Sequence, residues 1–272
     1  LEFRRVLFRS FLKNWYDMQV KTVQHGLGPQ GPKSRVTGEP VCGMEALPAR
    51  ELEKNRENLA QAVATHALDD AYWKARTPDF SKIQVPLLSA ANWGGQGLHP
   101  RGNFEGFLRS GSKEKWLEVH GIEHWTHFYT DYGREIQLRF FDYFLKGKKK
   151  GWSKQPKVFL QVRHIDKFVP RAEKAWPLPD TRWTKFYLDN ATLNLSSRPM
   201  QTLKKASYQG FSDGLTYMLP AQPQEMEITG PIAVKLFASS STIDTDFFVV
   251  LRIFSPDLKE VVFQGEIGRA HV

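Results

Sequence analysis

The sequence is poor in cysteine and has no long hydrophobic run. Its single cysteine, Cys42, excludes an internal disulfide framework and any metal site built on paired cysteines. No apolar stretch approaches the roughly 18 residues that a membrane-spanning helix needs, so we predict no membrane partner. A disulfide-free protein can lie on either side of a membrane, and these absences therefore leave the compartment open.

The sequence also lacks the patterns expected of nucleotide and nucleic-acid binding. The glycines of GGQG at residues 94–97 fit neither G-x-x-x-x-G-K-[ST] nor G-x-G-x-x-G. The formal net charge is +9, but basic residues are not interleaved with aromatic ones. The densest basic run, KGKKK at residues 146–150, is predicted to be a solvated helix exit. We therefore predict no cofactor and no nucleic-acid partner.

Both ends of the chain look foreign to the rest. Residues 1–10, LEFRRVLFRS, and residues 266–272, EIGRAHV, resemble translated sequencing-adapter oligonucleotides, and we exclude them from fold reasoning. The first segment holds three arginines and one glutamate, and the second holds one of each, so excluding both leaves a net charge of +7. The natural part is then residues 11–265, which we expect to be a fragment of a longer protein.

The most informative stretch is KWLEVHGIEHWTHFY at residues 115–129. The apolar run at 116–119 predicts a buried strand, and residues 131–146 carry apolar side chains at helical spacing with Gly147 as C-cap. The loop between them carries His120, His124 and His127. Loops at the carboxyl ends of strands hold the chemistry of open α/β sheets, and a histidine there is suited to act as general base. Packing or surface roles are the alternative for each histidine.

The pattern changes along the chain. Residues 47–67 predict one helix. Residues 83–88 predict a buried strand, followed by the glycine-rich loop and a helix with Phe104 and Phe107 on its inner face, so two successive β-α units predict a parallel α/β sheet. From Gly151 the hydrophobic period becomes two. Residues 157–162, 184–188, 226–239 and 247–254 then predict the strands of a sandwich or jelly roll.

Four segments resemble the CocE/NonD hydrolases, the family of cocaine esterase and X-prolyl dipeptidyl-peptidases. They are YWKARTPDFSKIQVPLL at 72–88, residues 116–124, FFDYFLKG at 140–147 and EITGPIAVKLFASSSTIDTDF at 227–247, of which the last is the most specific. The resemblance implies part of a helical cap at 11–77, the C-terminal part of an α/β-hydrolase domain at 78–150, and a truncated jelly roll at 151–265.

The resemblance also implies a Ser-His-acid triad that cleaves ester or amide bonds through an acyl-enzyme. His124 aligns with the family histidine and would be the general base. The serine elbow G-x-S-x-G is expected before residue 11, so the chain itself is expected to be inactive. A nominal match, GFSDG at 210–214, follows the histidine and precedes no helix, so Ser212 is not predicted to be the nucleophile.

The acid of the triad is the open question. Gly95 occupies the position where the family aspartate is expected after Trp93, and Glu105 and Glu123 are the nearest candidates, unless the acid lies elsewhere in the parent protein. Trp93, Trp125 and Phe128 are predicted to line an acyl pocket for a small ester or short peptide, with core packing as the alternative.

A second hypothesis follows from Gly95. The chain would belong to a degenerate, non-catalytic branch whose jelly roll binds a ligand such as a carbohydrate. The sequence leaves a homo-oligomer open under either hypothesis.

Overall fold

The structure, a computed structural model, describes residues 14–95, 99–122, 124–243, 245 and 247–261. Contacts divide these residues into two units, one of residues 14–78 and 234–251 and the other of residues 79–233 and 252–261. Among the residues described, no helix combines the length and the apolar character that crossing a bilayer requires.

The longer elements of the described chain are helices α1 to α6 and strands β1 to β6. In chain order they are α1 Ala49–Lys54, α2 Leu59–Thr65, α3 Ala71–Arg76, β1 Leu87–Asn92, α4 Pro100–Arg109, β2 Lys115–His120, α5 His124–Tyr129, α6 Asp131–Lys146, β3 Val158–Arg163, β4 Phe168–Glu173, β5 Tyr187–Asp189 and β6 Asn194–Ser196. Short helical turns lie at Tyr16–Lys21, Gly28–Gln30, Phe80–Lys82, Trp93–Gly95 and Trp152–Lys154.

The first unit contains α1, α2 and α3, and here the prediction of one helix over residues 47–67 is wrong. Two short helices occupy that range, because Asn58 begins a new one. Its side-chain oxygen accepts hydrogen bonds from the backbone N–H groups of Ala60 and Gln61, at 3.1 and 3.3 Å. An asparagine that caps a helix in this way interrupts the preceding one.

The second unit is built on a four-stranded sheet with the order β1-β2-β3-β4. Strands β1, β2 and β3 run parallel, whereas β4 pairs antiparallel with β3. Helix α4 connects β1 to β2, and α5 and α6 connect β2 to β3. The predicted β-α units and a mixed α/β architecture are therefore confirmed.

Strand β1 begins later than the sequence predicts. The apolar run at 83–88 precedes and only partly overlaps Leu87–Asn92, and Val85 is 67% exposed. Pro86 has no N–H to donate to a ladder, so regular pairing begins after it. Leu87 makes the first such bond, with its N–H donating to the carbonyl of Glu114 at 2.9 Å.

The sheet has an apolar cluster on each face. On one face, Phe107 of α4 packs with Leu117 and Val119 of β2. On the other face, Trp116 of β2 packs with Ile136 and Phe140 of α6 and with Trp152. Side chains alternate along a strand, so Glu118 and His120 lie on the same face as Trp116, toward α6.

Helix α6 matches its prediction from Asp131 to Lys146, and Gly147 ends it in the left-handed conformation with φ of 64°. The basic run after it is exposed, as predicted for a solvated helix exit, and two of its lysines also pair with a buried carboxylate. Lys146 and Lys150 lie 3.1 and 2.9 Å from the two carboxylate oxygens of Asp142, whose side chain is 3% exposed. Two lysines of this run thus neutralise a buried carboxylate near the end of the helix.

The strands predicted from Gly151 onward form only in part. Residues 157–162 correspond to β3, which joins the sheet of β1 and β2, and of residues 184–188 only the last two belong to the short β5. Residues 226–239 and almost all of 247–254 lie outside the strands of the described chain. A strand needs a neighbour to satisfy its backbone groups, and alternation alone does not supply one. The jelly roll therefore stays a prediction.

The packing of Trp152 supplies a test of the sheet–α6 interface. Trp152 is fully buried, with ring centroids 5.2 Å from Trp116 and 5.1 Å from Phe140. Trp152→Ala should lower the free energy of unfolding by about 3–5 kcal/mol, because it leaves a large cavity. Urea denaturation followed by far-UV circular dichroism measures this. The control is Trp183→Ala, at a side chain 68% exposed. Its free energy of unfolding should stay within about 0.5 kcal/mol of that of the unsubstituted chain. Equal losses in the two variants would contradict the packing described.

Candidate active site

A buried polar cluster lies at the carboxyl end of β2. Strand β2 contributes Glu118 and His120, α5 contributes His127, and α6 contributes Tyr132. The exposed fractions are 2% for Glu118, 4% for His120 and 9% for His127. The alternation of β2 directs Glu118 and His120 to one face, and the turn at Gly121 returns the chain so that His127 packs over them. We call these four residues the Glu118 cluster.

The carboxylate of Glu118 is the centre of the cluster. Its Oε2 lies 2.9 Å from Nδ1 of His120, which is hydrogen-bond distance. Its Oε1 accepts a hydrogen bond from the hydroxyl of Tyr132 at 3.4 Å and lies 3.7 Å from Nε2 of His127. A buried carboxylate is stable only when it is paired or hydrogen-bonded, and both oxygens meet that condition here.

The two imidazoles stack on each other. Their ring centroids are 4.0 Å apart and their planes differ by 8°. Burial, and the nearby charge of His120, lower the pKa of His127 to about 4, so His127 is neutral at neutral pH. Burial, and then the charge of Glu118, raise the pKa of Tyr132, so its hydroxyl keeps its proton and remains a donor.

Metal binding is one chemistry that this set of side chains suggests. Glu118, His120 and His127 each offer a ligand atom, and these atoms lie within 4.8 Å of one another. An imidazole binds a metal through a lone pair in its ring plane. One ion cannot lie in the planes of two stacked, nearly parallel rings. The arrangement therefore suits hydrogen bonding rather than the coordination of an ion by both histidines.

The catalytic residues predicted from the sequence are brought together only in part. His124 is the first residue of α5, between His120 and His127 in the chain, and its side chain lies outside what the structure describes. Glu123 also lies outside the described residues. Glu105 lies on α4 and is half-buried, and no described hydrogen bond or ion pair joins it to the Glu118 cluster.

The predicted pocket aromatics lie in two different environments. Trp93 packs against the apolar cluster around Phe107, and its indole N–H donates to the carbonyl of Gln161 at 2.8 Å. Trp125 and Phe128 lie on α5 and are 45% and 50% exposed. Gly95 ends the short turn that follows β1. Since Asn92 pairs in register with His120, this turn lies at the carboxyl end of the parallel strands, as the Glu118 cluster does.

Reasoning from the sequence alone missed Glu118 and Tyr132 as members of the site. A signal for Glu118 was present, because a charged residue interrupts an apolar strand two positions before a histidine. Residues two apart in a strand share a face, and their pairing could have been predicted. Tyr132 gave no such signal, since its spacing fits the apolar face of α6 equally well.

Comparison with known proteins finds similarity to hydrolases over parts of the chain. Residues 150–271 match the model of the X-Pro dipeptidyl-peptidase C-terminal non-catalytic domain. The chain is 31% identical over 169 residues to cocaine esterase from Rhodococcus sp. (strain MB1 Bresler), covering 48% of this chain. Two solved structures of a CocE/NonD family hydrolase from Staphylococcus aureus are 39% and 38% identical, cover 54% and 56% of this chain, and superpose with TM-scores of 0.52 and 0.53.

The fold is mixed α/β, and the proteins to which the chain is similar are hydrolases. These similarities support the resemblance to the CocE/NonD family that the sequence predicted. The chain spans 29% of the length of cocaine esterase and 27% and 28% of the two solved chains. The domain match runs through residues 266–271, so the adapter origin of that end stays a prediction.

The neutral state of His127 leads to a pH-dependence of stability. Its pKa falls from 6.5 to about 4 on folding, so the unfolded chain binds this proton first as the pH is lowered. The free energy of unfolding should therefore decrease as the pH is lowered from about 6.5 to about 4, and this group should contribute roughly 3 kcal/mol to the decrease. Urea denaturation across that range measures the loss.

His127→Gln removes the titrating group and should flatten this part of the pH profile. His164→Gln, at an exposed histidine of the same unit, should keep the profile of the parent chain. Parallel profiles for His127→Gln and the parent chain would show that His127 does not titrate as described.

Proposed function

We propose that the parent protein is a serine hydrolase that cleaves ester or amide bonds, including X-Pro dipeptidyl bonds, through an acyl-enzyme. The observation that supports this most is the segment of residues 120–127 at the carboxyl end of β2, in a chain similar to CocE/NonD hydrolases. We call this segment the histidine loop, although the prediction that its histidines lie on a loop is wrong in detail: His120 ends β2, and His124 and His127 lie on α5. Small esters or short peptides are the proposed substrates. The domain matched at residues 150–271 is described as non-catalytic, so the chemistry is assigned to residues before it.

In this proposal His124 is the general base. It accepts the proton of the nucleophilic serine as the oxygen attacks the substrate carbonyl, and then donates that proton to the leaving group. Water, deprotonated by the same imidazole, hydrolyses the acyl-serine. Glu105 and Glu123 remain the candidates for a direct acid partner, and Trp93, Trp125 and Phe128 remain the proposed wall of the acyl pocket.

The nucleophile is assigned to a part of the parent protein outside this chain, and the chain alone is proposed to be inactive. Ser212 lacks the context of a serine elbow. Its hydroxyl donates to the backbone carbonyl of Gln209 at 2.6 Å in an exposed turn, and no strand leads into that turn. A serine elbow instead places the nucleophile between a strand and a helix.

A non-catalytic binding protein is the second candidate. Gly95 carries no carboxylate where the family acid is expected, and the C-terminal domain matches a non-catalytic model. The ligand would then bind to the domain that follows residue 150, and a carbohydrate is the proposed class.

A fluorophosphonate probe, which labels activated serines, distinguishes the two functions in the parent protein recovered with its full reading frame. The hydrolase proposal predicts labelling that His124→Ala slows by about 100-fold or more, since general-base catalysis contributes about 10²–10⁴. His164→Ala is the matched control and should label like the parent. Labelling that survives His124→Ala would remove that residue from the mechanism.

An absence of labelling despite an intact serine elbow would favour the binding protein. A glycan array probed with the same full-length protein then tests the second candidate directly, and retention of a glycan would support it.

A further inference from the structure

We propose that Glu118 is the positioning residue of the histidine loop, a single buried carboxylate that holds His120 and His127 on either side of His124. The functional part of this inference rests on the proposed role of His124. The structural part, that one carboxylate clamps both ends of the loop, does not.

The first contact of the clamp fixes the end of β2. An ionised carboxylate only accepts hydrogen bonds, so His120 must donate to it through Nδ1–H across the 2.9 Å contact. The carboxylate thereby selects the tautomer of His120. Both groups are almost fully buried, with side chains 6% and 3% exposed, so water does not compete for this bond.

The second contact fixes the helical end of the loop. Nε2 of His127 lies 3.7 Å from the other carboxylate oxygen, a packing contact longer than a hydrogen bond, and its ring stacks on that of His120. Tyr132 reinforces this end, because its hydroxyl donates to the same oxygen and its ring centroid lies 5.0 Å from that of His127. Each carboxylate oxygen therefore contacts a different end of the segment that contains His124.

The backbone of the loop is constrained independently at both ends. At the start, Gly121 N–H donates to the side-chain oxygen of Gln161 at 3.0 Å, and a Cβ on Gly121 would lie 2.5 Å from the ring of Phe168. At the far end, the hydroxyl of Thr130 donates to the carbonyl of His127 at 2.7 Å. These contacts constrain the two described ends of the segment that contains His124.

The buried clamp suggests how a triad could function without an acid at Gly95. The acid of a Ser-His-acid triad chiefly orients the imidazole and stabilises its charged form. In this chain the orienting role would pass to Glu118, acting through the backbone positions of His120 and His127. Glu118 is buried beneath the loop, 2% exposed, and acts in this proposal through His120 and His127, so its role is positioning rather than catalytic.

The test uses Glu118→Gln, which keeps the shape of the side chain but removes its charge, with Glu114→Gln as matched control. Glu114 is an exposed glutamate just before the same strand, where it pairs with Lys157. The first readout is the ¹H–¹⁵N spectrum of the histidine side chains in the full 272-residue chain. We expect His120 to be protonated on Nδ1 in the unsubstituted chain and in Glu114→Gln. In Glu118→Gln we expect His120 to lose its preference for the Nδ1-protonated tautomer.

The second readout is the rate of fluorophosphonate labelling of the parent protein. Glu118→Gln should slow labelling by about 10- to 100-fold, because displacement of a catalytic group by about 1 Å can cost that much. The loss should fall on kcat rather than on KM when an ester substrate is used. Glu114→Gln should label like the parent.

The outcomes separate this inference from the proposed function. Unchanged histidine spectra in Glu118→Gln would overturn the clamp, whatever the activity. Changed spectra with an unchanged labelling rate would overturn the positioning role. Loss of the tautomer preference in a parent protein that never labels would support the clamp and count against the hydrolase. If Glu118→Gln does not fold, Tyr132→Phe removes one donor to the carboxylate and should shift the signals of both buried histidines.

Discussion

The structure around β2 depends on the burial of one negative charge. A carboxylate in the interior is tolerated only when donors surround it, and the donors to Glu118 come from separate elements. His120 ends β2 and Tyr132 begins α6, with the stacked His127 of α5 between them in the chain. Satisfying this carboxylate therefore requires the strand, the loop and both helices to come together in one arrangement.

The alternation of β2 explains why this polar group lies within an otherwise apolar sheet. Leu117 and Val119 build the core beneath α4, and Trp116 builds the core beneath α6. The positions that follow Trp116 on its face are polar. The α6 side of the sheet is therefore apolar around Trp116 and carries the polar side chains of the candidate site at its carboxyl end. In parallel sheets this end is where loops carry function. Strand β2 thus contributes apolar side chains to the core and polar side chains to the candidate site.

The C-terminal domain match and the candidate site concern different parts of the chain. The C-terminal match begins at residue 150 and concerns a domain described as non-catalytic, whereas the histidine loop precedes it. The two are nevertheless continuous in structure, because β3 follows residue 150 and pairs in parallel with β2. The sheet that carries the histidine loop is therefore completed by residues from the C-terminal part.

The sequence by itself determined the local elements near the site. The apolar run of β2, the helical period of α6 and its glycine cap depend on neighbours in the chain, and all three were predicted correctly. The resemblance to the CocE/NonD hydrolases was readable as well, from short segments of specific sequence. Tertiary structure alone decided the pairing of β3 with β2 and the meeting of Glu118 with Tyr132. These features join residues of different elements, and no periodicity within one segment encodes such contacts.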